Sequence, residues 1–416
     1  MTTPVNRLAQ AIAVVAIVLI GSRLVAGAGI AYGSIVALLL VPLWIPVLKQ
    51  FTGARLLVLL GVVAAVAGLW LGEVASSDHV VDRTGGFASA VDLVGLVATV
   101  GVILWARGHL PVWAIGALYG LGMVIGSVAK QSYDLENPWK FGLGFPISII
   151  ILALVSRDGR RVLDAVALLA LSVASILTDS RYRFATLMIA AFLVLWQMVP
   201  SSTRRARSAL LTVVLFGGIA AVTYNLATTL IVDGYLGEQA QERSIAQIDQ
   251  SGSLILGGRP ELAASVALFQ YRPTGYGTGV TPALADIIVA KSGMAAIGYQ
   301  PNNGYVEGYL FGSGIELHSI TGDVWSAFGI AGLVLVAAIL VLILRGLGMS
   351  VASRTATGLT LVLSISTLWN LLFSPLGGSY DTLVLALGLA LTPVVALPRT
   401  TAPEPSGRVR RAPIPT

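Results

Sequence analysis

Apolar runs of roughly twenty residues, separated by short polar breaks, recur along almost the whole chain. A bilayer crossing needs roughly 20 mainly apolar residues, and in lipid the backbone must satisfy its own hydrogen bonds, so each run is expected to be a helix. The pattern predicts an all-α polytopic membrane protein with about twelve transmembrane helices, over 7–27, 29–48, 54–72, 87–106, 110–129, 141–156, 161–178, 183–200, 208–227, 322–344, 355–373 and 378–398. The start, Met1 to Arg7, is read as leading into a retained first span and not as a signal peptide, because the topology then closes. One long interruption, 228–321, stands between the ninth and tenth spans, so the chain divides into nine spans (1–227), one large loop (228–321), three spans (322–398) and a Pro-rich, basic, disordered tail (399–416).

The loop is patterned as a folded segment. Gly237 to Gln250 is polar and compatible with a helix. A second helix is expected after Gly257-Gly258-Arg259-Pro260, where Pro260 suits a first helical position and Leu262, Val266 and Phe269 share one face. A turn-rich piece, Pro273-Thr274-Gly275-Tyr276-Gly277-Thr278-Gly279, follows, and the loop ends in Glu316-Leu317-His318-Ser319 at the head of the tenth span.

Composition strengthens the membrane reading. Of 416 residues, 56% are hydrophobic and 11% charged, against about 25% charged in soluble proteins. Charge placement orients the chain. With the N-terminus in the cytoplasm, inner segments hold 16 of the 26 basic residues and outer segments nine, Arg23 lying within the first span. Most carboxylates fall outside, so the positive-inside bias places both termini in the cytoplasm and the long loop outside. The basic excess follows the sides of the membrane, and no nucleic-acid partner is expected. Without cysteine, disulfides and thiolate metal sites are excluded.

Few polar residues remain to carry chemistry. His318 stands at the outer boundary where a helix begins, and the positive end of a helix favours a neutral imidazole, the form that accepts a proton. On position alone an interfacial histidine that caps or packs at a helix start is the favoured reading. His79 and His109 are expected to be solvated in short loops. Arg181 and Arg183, in Thr178-Asp179-Ser180-Arg181-Tyr182-Arg183, lie on the outer side against the positive-inside bias. Guanidinium forks suit phosphate or pyrophosphate, although snorkelling with Asp179 as partner explains them as well. Arg259, beside a helix start, has an anion-site reading and a structural one, paired with Glu261; Arg272 has the same two. Asp92 is expected to pair with Arg181 or Arg183, Asp164 with Arg160 and Arg161, and Arg23 to snorkel to the interface.

No Walker-type loop, His-Glu-x-x-His or Gly-x-Ser-x-Gly element occurs; Phe311-Gly312-Ser313-Gly314 departs from the last. Neither a cofactor nor a metal is expected.

The arrangement resembles the O-antigen ligase and Wzy-type polymerase superfamily of bacterial envelope glycan enzymes. The most specific match is His318-Ser319, nine residues from Ile320 to Phe328, then Gly329-Ile330-Ala331-Gly332. Thr178-x-Ser180-Arg181, Gly258-Arg259 with Gly275-x-Gly277-x-Gly279 downstream, and Asn137-Pro138-Trp139-Lys140-Phe141-Gly142-Leu143 also match; the family's Trp shortly after the loop Arg is replaced by Leu262, Ala263 and Ala264. The resemblance implies an inverting, metal-independent glycosyltransferase of the GT-C type in the bacterial cytoplasmic membrane. Its donor would be a polyprenyl-pyrophosphate-linked glycan, and its acceptor a hydroxyl on a glycan or lipid-linked molecule. His318 would be the base. Arg181 and Arg259 would bind the pyrophosphate, with Arg183 and Arg272 as further candidates, and Ser319, Ser180 and Asp92 would support them. The alternative is a transporter or flippase of lipid-linked glycans, which should show polar residues along a path through the bilayer.

Overall fold

The computed structural model describes residues 4–26, 29–132, 135–198, 218, 242, 245, 259–312 and 314–394. Of the expectations above, the span 208–227 apart from Gly218, the stretch Gly237–Gln250 apart from Glu242 and Ile245, Gly257, Gly258, Ser313 and the tail 399–416 lie outside the described residues.

The described residues are helical, with isolated β-bridges in place of strands. In chain order the helices are α1 (Pro4–Ser22), α2 (Tyr32–Leu39), α3 (Val41–Trp44), α4 (Ala54–Ala75), α5 (Arg83–Ala106), α6 (Val112–Ala129), α7 (Gly144–Val155), α8 (Arg161–Leu177), α9 (Arg181–Met198), α10 (Glu261–Tyr271), α11 (Leu284–Ala295), α12 (Ile320–Ala352), α13 (Gly358–Phe373) and α14 (Leu376–Ala390). A π turn, Trp139–Leu143, leads into α7. Among the described residues five helices are long and apolar enough to cross a membrane, and six when the pair Tyr32–Leu39 and Val41–Gln50, bent by 59°, counts as one span. This is the architecture of a helical membrane protein. The second predicted span is therefore broken, at a point where Pro42 and Pro46 remove backbone donors.

α5 is the central helix. Two thirds (67%) of its apolar window is buried, against 33% for α4 and α6, and every residue from Leu96 to Ala106 is buried. A helix apolar all round has no solvent face to present and belongs in the middle. Around it α1 packs on α6, α8 on α9, α4 on α12, and α13 on α14.

α12 runs for 33 residues, to Ala352, eight beyond the predicted end. It breaks at Gly329 (φ 61°, ψ −147°), a conformation that a side chain would forbid. A Cβ there would lie 2.5 Å from the Thr274 carbonyl oxygen. The break leaves the Ser326 carbonyl to accept from the amides of Tyr276 (2.8 Å) and Gly277 (2.9 Å). The Thr278 amide donates to Gly68 of α4 (3.0 Å). Gly277 (φ 103°) lies so close to Gly72 that no Cβ fits. The turn-rich piece is thus a strap threaded between α4 and α12.

Residues of 259–317 build a second core from Ala264, Leu268, Ala290, Met294, Val306 and Leu310, closed by Ala75 of α4 and Trp325 of α12. The expected helix after Arg259 is α10, with Pro260 at its N-cap. Its buried face is Glu261, Ala264 and Leu268, whereas Val266 and Phe269 are exposed, so the expected face is the outer one. Periodicity alone picks the most apolar stripe; packing against α11 selects small residues, because Gly293 abuts Ala263 and Ala267. α11 was not anticipated.

Candidate functional site

The helix ends nearest the second core gather the polar residues, and this is the loop end of the bundle. Ser319 is the N-cap of α12, its hydroxyl accepting from the Gly322 amide (2.9 Å). His318, one residue earlier, is only 8% exposed and has φ 54°. Left-handed backbone at a non-glycine residue persists only where surroundings enforce it. Asp323 does so. Its carboxylate accepts from the backbone of Leu317 (2.7 Å), of His318 and of Leu376 at the start of α14 (2.8 Å).

The imidazole is oriented by its neighbours. His318 Nδ1 lies 3.1 Å from the Glu316 carbonyl oxygen. A carbonyl only accepts, so the proton sits on Nδ1 and the neutral ring carries its lone pair on Nε2. Tyr309 stacks on the ring, centroids 3.8 Å apart. Burial and the charge of Glu261 push the Tyr309 phenol up, while the positive charge of Arg259 draws it back. Arg259 is therefore within electrostatic reach of the ring that covers His318. Glu261 accepts from the half-buried Tyr305 hydroxyl (2.7 Å), whose own acidity falls because of burial and that carboxylate.

Two matched motifs lock together at the start of α9. Asn137 donates to the Thr178 carbonyl (2.8 Å) and accepts from the Lys140 amide (2.9 Å). Asp179, in left-handed backbone (φ 51°), takes Lys140 Nζ at 2.9 Å and Arg181 Nε at 3.4 Å. Ser180 is buried, and its carbonyl caps the first turn by accepting from the Phe184 amide (2.9 Å). Arg183 turns back to the π turn, donating to the carbonyls of Trp139 (2.9 Å) and Lys140 (3.2 Å). Arg181 and Arg183 thus have different direct partners but are linked through Lys140, whose Nζ pairs with Asp179 and whose carbonyl accepts from Arg183.

The starts of α9 and α12 meet on the last turn of α13. Tyr182 donates to Asn370 (3.2 Å) and Thr321 to the Leu371 carbonyl (2.7 Å). The fold brings the Arg181 helix start and the His318 helix start onto adjacent residues of one turn.

Other candidates stand elsewhere. Arg272 is held by Asp78 (2.8 Å) and the Gly275 carbonyl (3.2 Å) and covers the Tyr276 ring, apart from His318. His79, expected to be solvated, is buried between Asp78 (2.8 Å) and Asp286 (2.9 Å), its side chain 6% exposed. Nδ1 faces Asp78 and also the Arg272 guanidinium (3.3 Å), while Nε2 faces Asp286. Asp286 also accepts from Tyr276 (3.1 Å), and the group clamps the α4–α5 loop to the strap. His109 packs on Trp105, its Nδ1 buried.

Asp92 lies 3.8 Å from Arg23, and Arg181 and Arg183 have other partners. Arg23 does not snorkel: its guanidinium sits 3.9 Å over the Tyr380 ring. Asp164 is a buried acceptor for Ser156 (3.2 Å) and for the Gly358 amide at the start of α13 (3.2 Å), and of the two expected arginines Arg161 acts on it through charge. In the sequence Arg23 reads as a snorkelling residue, and Lys140 and Glu316 stand out only as members of longer stretches; Tyr309 and Asp323 escape sequence reasoning. Only Asp323 left a signal there, an acidic residue in a helix's first turn.

Compared with family models, curated proteins and solved structures, the chain matches none.

Proposed function

We propose that the protein is a membrane-embedded glycosyltransferase of the O-antigen ligase or Wzy-type polymerase kind. In this reading twelve spans place both termini in the cytoplasm and the loop end outside. The donor is a glycan on polyprenyl pyrophosphate, and the acceptor is a hydroxyl. The observation that carries the reading is His318: a buried imidazole in enforced left-handed backbone, with Nδ1 spent on Glu316 and Nε2 left basic. It heads the helix whose break falls at the motif glycine, Gly329.

In the transfer, Nε2 takes the proton of the acceptor hydroxyl as its oxygen attacks the anomeric carbon. The bond from that carbon to the pyrophosphate oxygen breaks, and inversion follows from attack on the opposite face. Pyrophosphate departs as an anion and needs fixed positive charge more than an acid. Arg181 and Arg259 supply it.

The test is His318→Ala in purified protein supplied with lipid-linked donor and acceptor in detergent, where no gradient exists. Turnover by the wild type and a loss of about 10²-fold or more in the variant fit transfer. Wild-type turnover by His318→Ala would remove His318 as the base. No product from wild-type protein, with donor movement across reconstituted vesicles, would favour a flippase.

A further inference from the structure

A cavity of about 670 Å³ opens at the loop end, and four cationic side chains line it: Arg23, Lys130, Lys140 and Arg183. They come from four segments, namely the residue after α1, the C-cap of α6, the π turn and the first turn of α9. Among the described residues Asp381 is the one carboxylate lining it, and that group accepts from Tyr119 (3.0 Å). Arg23 and Lys140 have Asp92 and Asp179 as outer partners. Arg183 is held by two carbonyls, which leave its charge uncancelled. Arg23 Nη1 and Arg183 Nε are buried and donate to nothing among the described residues. Unspent buried donors cost free energy, and like charges gathered around one space repel. An anion in that space relieves both.

The first turn of α14 adds to this. Gly377 and Gly378 line the same cavity, at a helix start where amides lack intrahelical acceptors and the dipole is positive. A Cβ on Gly377 would meet nothing within 4 Å, so its backbone is open to an incoming group. Guanidinium forks, ammonium groups and helix-start amides are together the donor set of a phosphate site.

We propose that this cavity binds a phosphate-type anion, carried by a membrane lipid headgroup or by a diphosphate. His318, Arg181 and Arg259 do not line the cavity, but Arg183, a further pyrophosphate candidate of the transfer reading, does; a diphosphate ligand here therefore rests on that reading, whereas a lipid headgroup does not.

The test uses full-length protein in nanodiscs of neutral phosphatidylcholine, titrated with inorganic pyrophosphate by calorimetry. Wild type should bind saturably. Lys130→Gln/Lys140→Gln and Arg183→Gln should each raise Kd at least tenfold, and His318→Ala should not. The double variant changes two partly exposed side chains, so it reports even if Arg183→Gln fails to fold. In a second arm, protein from vesicles containing phosphatidylglycerol is examined by native mass spectrometry. Retained lipid that pyrophosphate displaces assigns a headgroup, whereas pyrophosphate binding without retained lipid assigns a diphosphate. Absence of both in wild type, or unchanged Kd in Lys130→Gln/Lys140→Gln, would overturn the proposal.

Discussion

The imidazole of His318 lies face to face with the phenol of Tyr309, ring centroids 3.8 Å apart and planes inclined by 24°. The stack covers one face of the ring while Glu316 holds Nδ1. Two constraints on a small ring leave little freedom in where Nε2 points, and orientation of that kind is worth much of a catalytic barrier.

Tyr309→Phe keeps the ring and removes the hydroxyl; Tyr309→Ala removes the stack. Transfer by the Phe variant should stay within about threefold of wild type, and the Ala variant should lose about tenfold or more. Burial and Glu261 raise the Tyr309 pKa, so the phenol stays protonated through neutral pH, and any activity change between pH 6 and 9 should persist unaltered in Tyr309→Phe. A shifted profile in that variant would assign the titration to Tyr309.

Asp323 ties the residues before α12 to the start of α14 through three backbone amides. Asp323→Ala leaves those donors unpaired, each buried donor costing about 1–3 kcal/mol. The variant should unfold at a clearly lower temperature in detergent and lose transfer. Ser319→Ala removes only a cap, about 1 kcal/mol, and should be much milder. Equal effects would refute the bracing role.

Gly329→Ala should destabilise by on the order of 1–3 kcal/mol from backbone strain alone, with the clash against Thr274 and Leu71 added. Gly348→Ala, on the same helix with nothing within 4 Å, is the control and should be neutral or slightly stabilising. Thermal unfolding in detergent distinguishes them.

Asp78 titrates below its ordinary value of 3.8, first because His79 hydrogen-bonds to it; burial opposes this, and the hydrogen bond and charge of Arg272 add to the lowering. A depressed carboxylate contributes stability that is complete above the unfolded value and is lost as pH falls through the folded one. The clamp should therefore hold at neutral pH and loosen only below about pH 3.8. Asp78→Asn should flatten the fall in melting temperature over that acid range. An unchanged acid limb in Asp78→Asn would show that the loss arises elsewhere.

Much of the helical plan was legible in the chain. The apolar runs at 54–72, 87–106 and 110–129 became α4, α5 and α6 within a few residues, because a run of that length must satisfy its backbone locally whatever surrounds it. Pairing was not legible. Asp92 was expected to meet an arginine about ninety positions later and instead meets Arg23, and His79 is buried by Asp286, 207 positions away. Which face of α10 would be buried was not legible for the same cause: its small-residue face packs on α11, where Gly293 abuts Ala263 and Ala267.

The sequence by itself determined that the chain is built of apolar helices and that a His-Ser pair is followed, after nine intervening residues, by a Gly-x-x-Gly. These depend on local composition and spacing. Tertiary structure decided which nitrogen of His318 is basic, that Tyr309 covers it, and that Gly329 is a break through which the strap passes. It also placed Arg23, Lys130, Lys140 and Arg183 around one cavity. Hydrogen bonds and charges act over a few ångströms, and only the folded chain brings residues hundreds of positions apart within that distance.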